Sequence, residues 1–294
     1  GEGVQIQLRR FGIRFGRISH IFISHLHGDH VFGLFGLLSS FSLMGRSSDL
    51  HIYGPQTLED LLNAHFSFFN QERKYSVTFH KLTAKTRKRI FEDERITVDA
   101  FPLRHSTQCY GFLFREKEKL RNILKEAISR YKIPIRAMMA IKQGEDFIDD
   151  SGKIIPNEEL TVPPPRPRAF AYCSDTMYFP ALARMVKDVD LLYHEATFLK
   201  KDQKLARETM HSTAYDAAIT ALNAHARHLV IGHFSTRYKT TEGFVKEATD
   251  VFPDVSEAVD GYRYLVEQNG NLVVNLAGKK SNFSAYLKTK FNPL

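Results

Sequence analysis

The chain has 294 residues, 43% of them apolar and 12% aromatic, which is enough to fill a sizeable core and excludes a disordered polymer. It contains no uninterrupted apolar run of about eighteen residues, which excludes an apolar membrane-spanning helix. The formal charge of +8, from 41 Lys and Arg against 33 Asp and Glu, permits a polyanionic partner without requiring one. Two cysteines, Cys109 and Cys173, exclude a disulfide scaffold and favour a reducing, cytoplasmic setting.

The sequence opens on Gly1-Glu2-Gly3 with no initiator Met and reads as a fragment that has lost its first strands, so the lack of a signal peptide says little about targeting. Residues 18–24 predict a strand, followed at once by Ser24-His25-Leu26-His27-Gly28-Asp29-His30. His25 and His27 stand two apart, so an extended backbone sends both imidazoles to one side, where they can share an ion. Gly28 marks a bend into Val31, Leu34, Phe35, Leu37, Leu38 and Phe41, apolar at helical spacing, which places Asp29 and His30 at a helix N-terminus. The second pair is displaced from the first by a few ångströms, and a second ion becomes plausible. Ser39, Ser40 and Ser42 interrupt the apolar face, which suits a buried core or a subunit interface.

Further along, strands are predicted over 50–54, 96–103, 168–174, 188–193 and 228–232, and helices over 56–69, 117–131, 178–187, 213–225 and 241–251. Alternation of short apolar runs with amphipathic stretches gives an α/β class. Metal-type residues recur where the strands stop: His105 after the 96–103 run, Asp175 after 168–174, His194 and Glu195 after 188–193, and His233 after 228–232. Loops at one edge of a sheet are where groups distant in sequence can be gathered. Thr213, three residues ahead of Asp216, has the form of an N-terminal capping pair. Residues 262–266 and 272–276 flank Asn269-Gly270 and read as a hairpin. Cys109 and Cys173 lie close to these positions but read first as small buried hydrophobes. His20, His51, His65, His80, His225 and His228 have no supporting context and read as ordinary histidines.

Lys81, Lys85, Arg87, Lys88 and Arg89 form one basic cluster, and Lys279, Lys280, Lys288 and Lys290 another near the end. Between about 115 and 167 the composition changes: Leu120, Ile123, Leu124, Ala127, Ile128 and Tyr131 recur at helical spacing among basic residues, and an irregular stretch ends in Val162-Pro163-Pro164-Pro165-Arg166-Pro167. This segment is expected to project from the core as an arm that grips RNA, within a single domain spanning 1–294.

The His25–His30 run, Pro102-Leu103-Arg104-His105, Ser174-Asp175-Thr176, His194-Glu195-Ala196-Thr197, His211-Ser212-Thr213 and Gly232-His233-Phe234-Ser235 together resemble ribonuclease Z, the tRNA 3′-processing endonuclease of the metallo-β-lactamase superfamily. The opening Gly1-Glu2-Gly3 resembles the end of that family's early Asp-Cys-Gly-Glu-Gly segment, so the match runs from residue 1 to about 238. The resemblance implies an αββα sandwich whose first hairpin is absent from this chain, with the inserted tRNA-binding arm. It assigns His25, His27 and His105 to one zinc ion, Asp29, His30 and His233 to a second, and Asp175 to a bridging position; manganese, iron or cobalt would tolerate the same donors. It also implies a homodimer and a precursor tRNA as substrate, with no membrane association. Relatives in bacteria often carry a Gly-Pro-rich arm tip, whereas this chain has Ile133-Pro134-Ile135-Arg136-Ala137-Met138-Met139-Ala140 there, so its grip on tRNA is expected to differ.

The expected reaction is hydrolysis of a phosphodiester that removes the 3′ trailer and leaves a 3′-hydroxyl on the tRNA. Asp29, partly by the resemblance, is the expected catalytic base. His211 is the expected general acid, with Glu195 orienting its ring, while His194 is expected only to support the site by hydrogen bonding. Two other readings fit the same residues less well: a hydrolase of a small phosphodiester or ester, and a non-catalytic RNA-binding subunit that has kept the fold.

Overall fold

The structure, a computed structural model, describes residues 1–69 and 73–276, so Lys279, Lys280, Lys288 and Lys290 lie outside the described residues. Helix α1 (Val4–Arg10) lies along α2 (Gly28–Leu43). Gly33 of α2 offers bare backbone to the opening residues: a Cβ there would collide with the Gly1 carbonyl oxygen. Strands β1 (His20–Phe22), β2 (Leu50–Gly54) and β3 (Val77–Lys81) form a parallel sheet, with α2 and α3 (Gln56–Phe68) as the connections between them. The side chains of β2 alternate as a pleated strand demands. Leu50 and Ile52 are fully buried against Leu34, Leu38, Phe41 and Leu58 from the helices, while Tyr53 packs on the other face. Each such burial contributes about 1.5–3 kcal/mol.

Strands β4 (Lys88–Glu92), β5 (Ile96–Leu103) and β6 (Cys109–Glu116) run antiparallel as one half of a seven-stranded sheet. The chain then leaves this sheet and folds β7 (Asn122–Ile123), α4 (Lys125–Arg130), α5 (Ile135–Lys142), β8 (Phe147–Ile148), β9 (Ile154–Ile155), α6 (Asn157–Leu160) and β10 (Thr161–Val162) around a small core of Ala127, Ile133, Ile141, Phe147, Ile155 and Leu160. The helix expected over 117–131 is therefore only α4. Its first half is claimed by the pairing of β7 with β10, and the chain turns at Lys132, whose φ is 48°.

The sheet resumes with β11 (Ala169–Cys173), then α7 (Ala181–Met185), β12 (Leu191–Glu195), α8 (Gln203–Glu208), α9 (Ala214–Asn223), β13 (His228–Gly232), α10 (Glu242–Thr249) and β14 (Val255–Glu257), with β11 to β14 mutually parallel. Helix α7 is shorter than the expected 178–187 because Pro180 stands at its N-cap, where no backbone N–H is required. The strand expected over 188–193 starts later, after a left-handed Asp188 with φ 57°, and keeps His194 and Glu195 as its last residues, because the ladder to Cys173, Ile231 and Gly232 continues through them. Thr213 and Asp216 form the expected reciprocal cap on α9. Strands β15 (Tyr262–Val266) and β16 (Leu272–Leu276) make the expected hairpin, turning through Gly270 at φ 91°. A cavity of about 690 Å³ separates this hairpin from the large sheet and is lined by Phe114, Tyr172, Tyr193, Tyr264 and Val266 among others.

Four layers result. Helices α2 and α3 cover the small sheet, and α7, α9 and α10 cover the large one through Leu192, Leu229, Ile231, Ala217 and Phe244. The two sheets meet through Phe22, which lies 5.4 Å from both Phe112 and Phe114. This is the expected αββα order. Among the described residues no helix is long and apolar enough to cross a membrane. The segments after β1, β5, β11, β12 and β13 converge at one edge of the sandwich.

Candidate metal centre

At that edge the structure brings together all seven expected donors. His25, His27, His105 and Asp175 form one group and Asp29, His30 and His233 another, the ligand atoms within each group lying within 4.8 Å of one another. Regular β1 pairing stops at Phe22, but Ile23 still donates to the Tyr53 carbonyl, which keeps the backbone extended into His25. His27 is the N-cap of α2, with extended φ −65° and ψ 144°, and Asp29 sits in the first turn, where a helix favours negative charge. Asp175, 2% exposed, lies between the groups. Its Oδ2 is 3.6 Å from His25 Nε2, 3.4 Å from His30 Nε2 and 3.9 Å from His105 Nε2, while Oδ1 is 3.5 Å from His233 Nε2. Asp29 Oδ2 is 3.2 Å from His30 Nε2 and 3.6 Å from His233 Nε2.

The donor chemistry fits divalent cations. His25 Nε2 is buried and has no hydrogen-bond partner, and an orphaned ring nitrogen facing a carboxylate is a group that a cation satisfies. Burial pushes the His25 pKa down to about 3, overriding the attraction of Asp175, so its ring is neutral. Burial also lowers His105, against the hydrogen bond to the Met210 carbonyl. Burial works against the charged form of Asp175 too, but the hydrogen bond from His30 and the nearby His233, His30 and His25 outweigh it and hold its pKa well below the usual carboxylate range. A neutral His25 ring beside an ionised Asp175 is the protonation state that metal binding needs. For His30, burial is outweighed by the hydrogen bond and charge of Asp175 and the charge of Asp29, which raise its pKa.

Glu195 and His211 stand beside this cluster. His211 Nδ1 donates to Glu195 Oε1 at 3.0 Å, and its ring lies 5.0 Å from His105 and 5.4 Å from His233, stacked on the latter. Burial disfavours the charged His211 ring, but the hydrogen bond and charge of Glu195 prevail and raise its pKa. His194 points to the opposite face of β12, is fully buried, and donates through Nδ1 to the Glu195 carbonyl at 2.6 Å.

Cys109 touches the site, its Sγ 3.6 Å from His25 Nδ1 and within hydrogen-bond reach of the Asp175 carbonyl. Cys173 lies in the apolar core. Two contributors carried no expectation. Thr197 Oγ1 links Glu195, His211 and His233, and the Met210 carbonyl accepts from His105 Nδ1 at 3.0 Å. Thr197 lies inside the quoted His194–Thr197 segment, so its position was visible without its role. Met210 acts through its main chain, which side-chain identity does not signal. The basic cluster is partly spent on the fold: Arg87 donates to the Met185 carbonyl and faces Asp99, and Arg89 pairs with Asp99 and Glu92, which leaves Lys81, Lys85 and Lys88 exposed.

Fold and donor set together define a chain of the metallo-β-lactamase fold whose sheet edge is furnished to hold metal. The beta-lactamase superfamily domain family matches residues 4–121. The solved short form of human tRNase Z superposes with a TM-score of 0.62 at 26% identity, over 88% of this chain and 83% of that one. A metallo-beta-lactamase fold protein from Bacillus subtilis superposes at 0.59 with 17% identity, over 94% and 85%. The Ribonuclease Z of Bacteroides thetaiotaomicron is 48% identical over 86% of this chain and 80% of its own length, and that of Parabacteroides distasonis 43% over 90% and 88%. The chain belongs to the ribonuclease Z family.

Proposed function

We propose that this chain is a metal-dependent endoribonuclease that removes the 3′ trailer from tRNA precursors and leaves a 3′-hydroxyl on the tRNA. The observation that carries the reading is the Glu195–His211 pair, joined at 3.0 Å and standing against a cluster of seven metal-type donors. Such a pair suits a reaction whose leaving group is a poor one that needs a proton. Ribonuclease Z relatives at 43–48% identity over most of the chain support the same substrate.

In this reading His25, His27 and His105 hold one divalent cation and Asp29, His30 and His233 the other, with Asp175 shared, and zinc is the ion that a His-rich set with a bridging carboxylate favours. When bound, the pair supplies positive charge against the phosphate oxygens and a water acidic enough to react at neutral pH. Asp29, with a side chain 67% exposed at the mouth of the site, accepts the proton of the attacking water. His211, with Nδ1 fixed by Glu195, offers Nε2 to protonate the departing ribose oxygen.

The chain acts as one domain with the 115–167 segment as its arm. The arm's own small core and its exposed Arg130, Lys132, Arg136 and Lys142 support a role in gripping phosphates away from the cut. Exposed Phe32, Leu43 and Met44 on and just after α2, with Leu61 and Phe68 on α3, support a homodimer. The free Cys109 and Cys173 suit a cytoplasmic setting. The test is incubation of the purified protein with 3′-extended tRNAs and with small phosphodiesters and esters, with and without chelator. Cleavage at the trailer junction that chelator abolishes is the expected result. Turnover of the small substrates with intact tRNA precursors would instead favour a small-molecule hydrolase.

A further inference from the structure

We infer that Thr197 is a positioning residue: it fixes which nitrogen of His233 faces the metal, and through Glu195 it ties that ligand to His211. The inference rests on the metal-site reading above for His233 but on no particular substrate. A threonine hydroxyl has one proton to give and two lone pairs to offer. Three groups surround Thr197 Oγ1: Glu195 Oε2 at 2.8 Å, His233 Nδ1 at 2.9 Å and His211 Nδ1 at 3.2 Å.

Glu195 settles where the proton goes. It is completely buried, and it already accepts from the Thr176, Thr197 and Ser212 backbone N–H groups, at 3.0, 2.9 and 2.9 Å, and from His211 Nδ1 at 3.0 Å. A carboxyl group whose other contacts are all N–H donors is placed to accept, so the Thr197 hydroxyl donates to it. The remaining capacity of Oγ1 is as an acceptor, which requires that His233 carry its proton on Nδ1. His233 Nε2 then keeps its lone pair, and that atom is the one 3.5 Å from Asp175 and 3.6 Å from Asp29. His233 also adopts a left-handed backbone with φ 62°, an uncommon conformation for a non-glycine residue. One buried carboxylate thus orients two rings, His211 directly and His233 through a single hydroxyl.

Two measurements test this. In ¹⁵N-histidine spectra of the metal-free protein, His233 is expected as the tautomer protonated at Nδ1; a wild-type spectrum with His233 protonated at Nε2 instead overturns the inference, and this reading needs no variant. In zinc titrations against a competing chelator, Thr197→Val, which keeps the shape and removes the hydroxyl, is expected to weaken one metal equivalent about 10- to 100-fold and spare the other, with Thr197→Ser restoring it. A folded Thr197→Val protein that binds both equivalents like the wild type overturns the inference. Neither readout depends on RNA cleavage, so failure of the tRNA reading and failure of this one are separable.

Discussion

Asp29 and His211 make different demands on the reaction, and single substitutions separate them. Asp29→Ala removes both a candidate donor of the second group and the proposed proton acceptor. Cleavage of a 3′-extended tRNA is expected to vanish while tRNA binding by gel shift stays close to wild type; retained turnover with full metal content would reject the role. His211→Ala removes the proposed proton donor and no member of the two proposed donor sets. It is expected to slow a natural precursor about 10²- to 10⁴-fold and to slow a substrate with an activated aryl leaving group far less. Equal losses on the two substrates would argue against general-acid work. The candidate donors are legible because each of His25, His105, Asp175 and His233 stands at or just past the end of an apolar run, and their side-chain types are those that bind metal. Thr197 was not readable as a contact because a hydroxyl's role is set by its neighbours, here residues two to thirty-six positions away. Met210 is a stronger case, since any residue supplies a carbonyl and only the local fold aims it at His105.

Strands whose two faces differ in polarity, or that pair in parallel at the centre of a sheet, could be read from the sequence, and β2, β5, β11 and β13 lie where apolar runs place them. The start of the arm could not, because β7 gains its pairing from β10 about forty residues away, as Ile123 does from Thr161, and helical spacing in 117–124 competes with that. Neither could a stack of histidines across the small sheet: His20 lies over His51 at 4.8 Å, and His51 Nδ1 is 3.0 Å from His80 Nε2. Read singly these were ordinary histidines, but β1, β2 and β3 put them side by side. Burial and the neighbouring His51 and His80 lower the His20 pKa, with Asp93 opposing; burial and His51 lower that of His80. Unfolding restores both toward the ordinary value of 6.5, so below that pH the unfolded chain binds more protons than the folded one. The stack's own contribution to stability is therefore expected to be undiminished above about pH 6.5 and to decline as the pH falls from there toward the lowered folded values. In thermal melts His20→Phe should make that decline shallower; an unchanged slope would show that the stack does not set it. At α9, Thr213→Ala removes the cap that accepts from Asp216 N and should cost about 1 kcal/mol in denaturant melts.

In the proposed reading the whole molecule separates chemistry from grip. The donors sit at one sheet edge, whereas the arm buries its own core, so changes on the arm's surface need not disturb the metal groups. Part of the +8 charge acquires a location in this reading: Arg87 and Arg89 are engaged with Asp99 and Glu92, and the exposed cations among the described residues include Lys81, Lys85 and Lys88 on the body and Arg130, Lys132, Arg136 and Lys142 on the arm. Each cation withdrawn from a phosphate should reduce the slope of log affinity against log salt by about 0.7–0.9. Replacing Arg130, Lys132 and Arg136 together by Glu is therefore expected to flatten that slope by about 2 if all three meet phosphate. KM for a tRNA precursor should rise, with kcat and the metal content holding near wild type. Lys85→Glu with Lys88→Glu should act in the same direction if the body also meets the RNA backbone. The contrast between the two sets locates the RNA: a slope that responds to the body lysines and ignores the arm would place the tRNA on the sandwich alone and remove the arm from substrate binding.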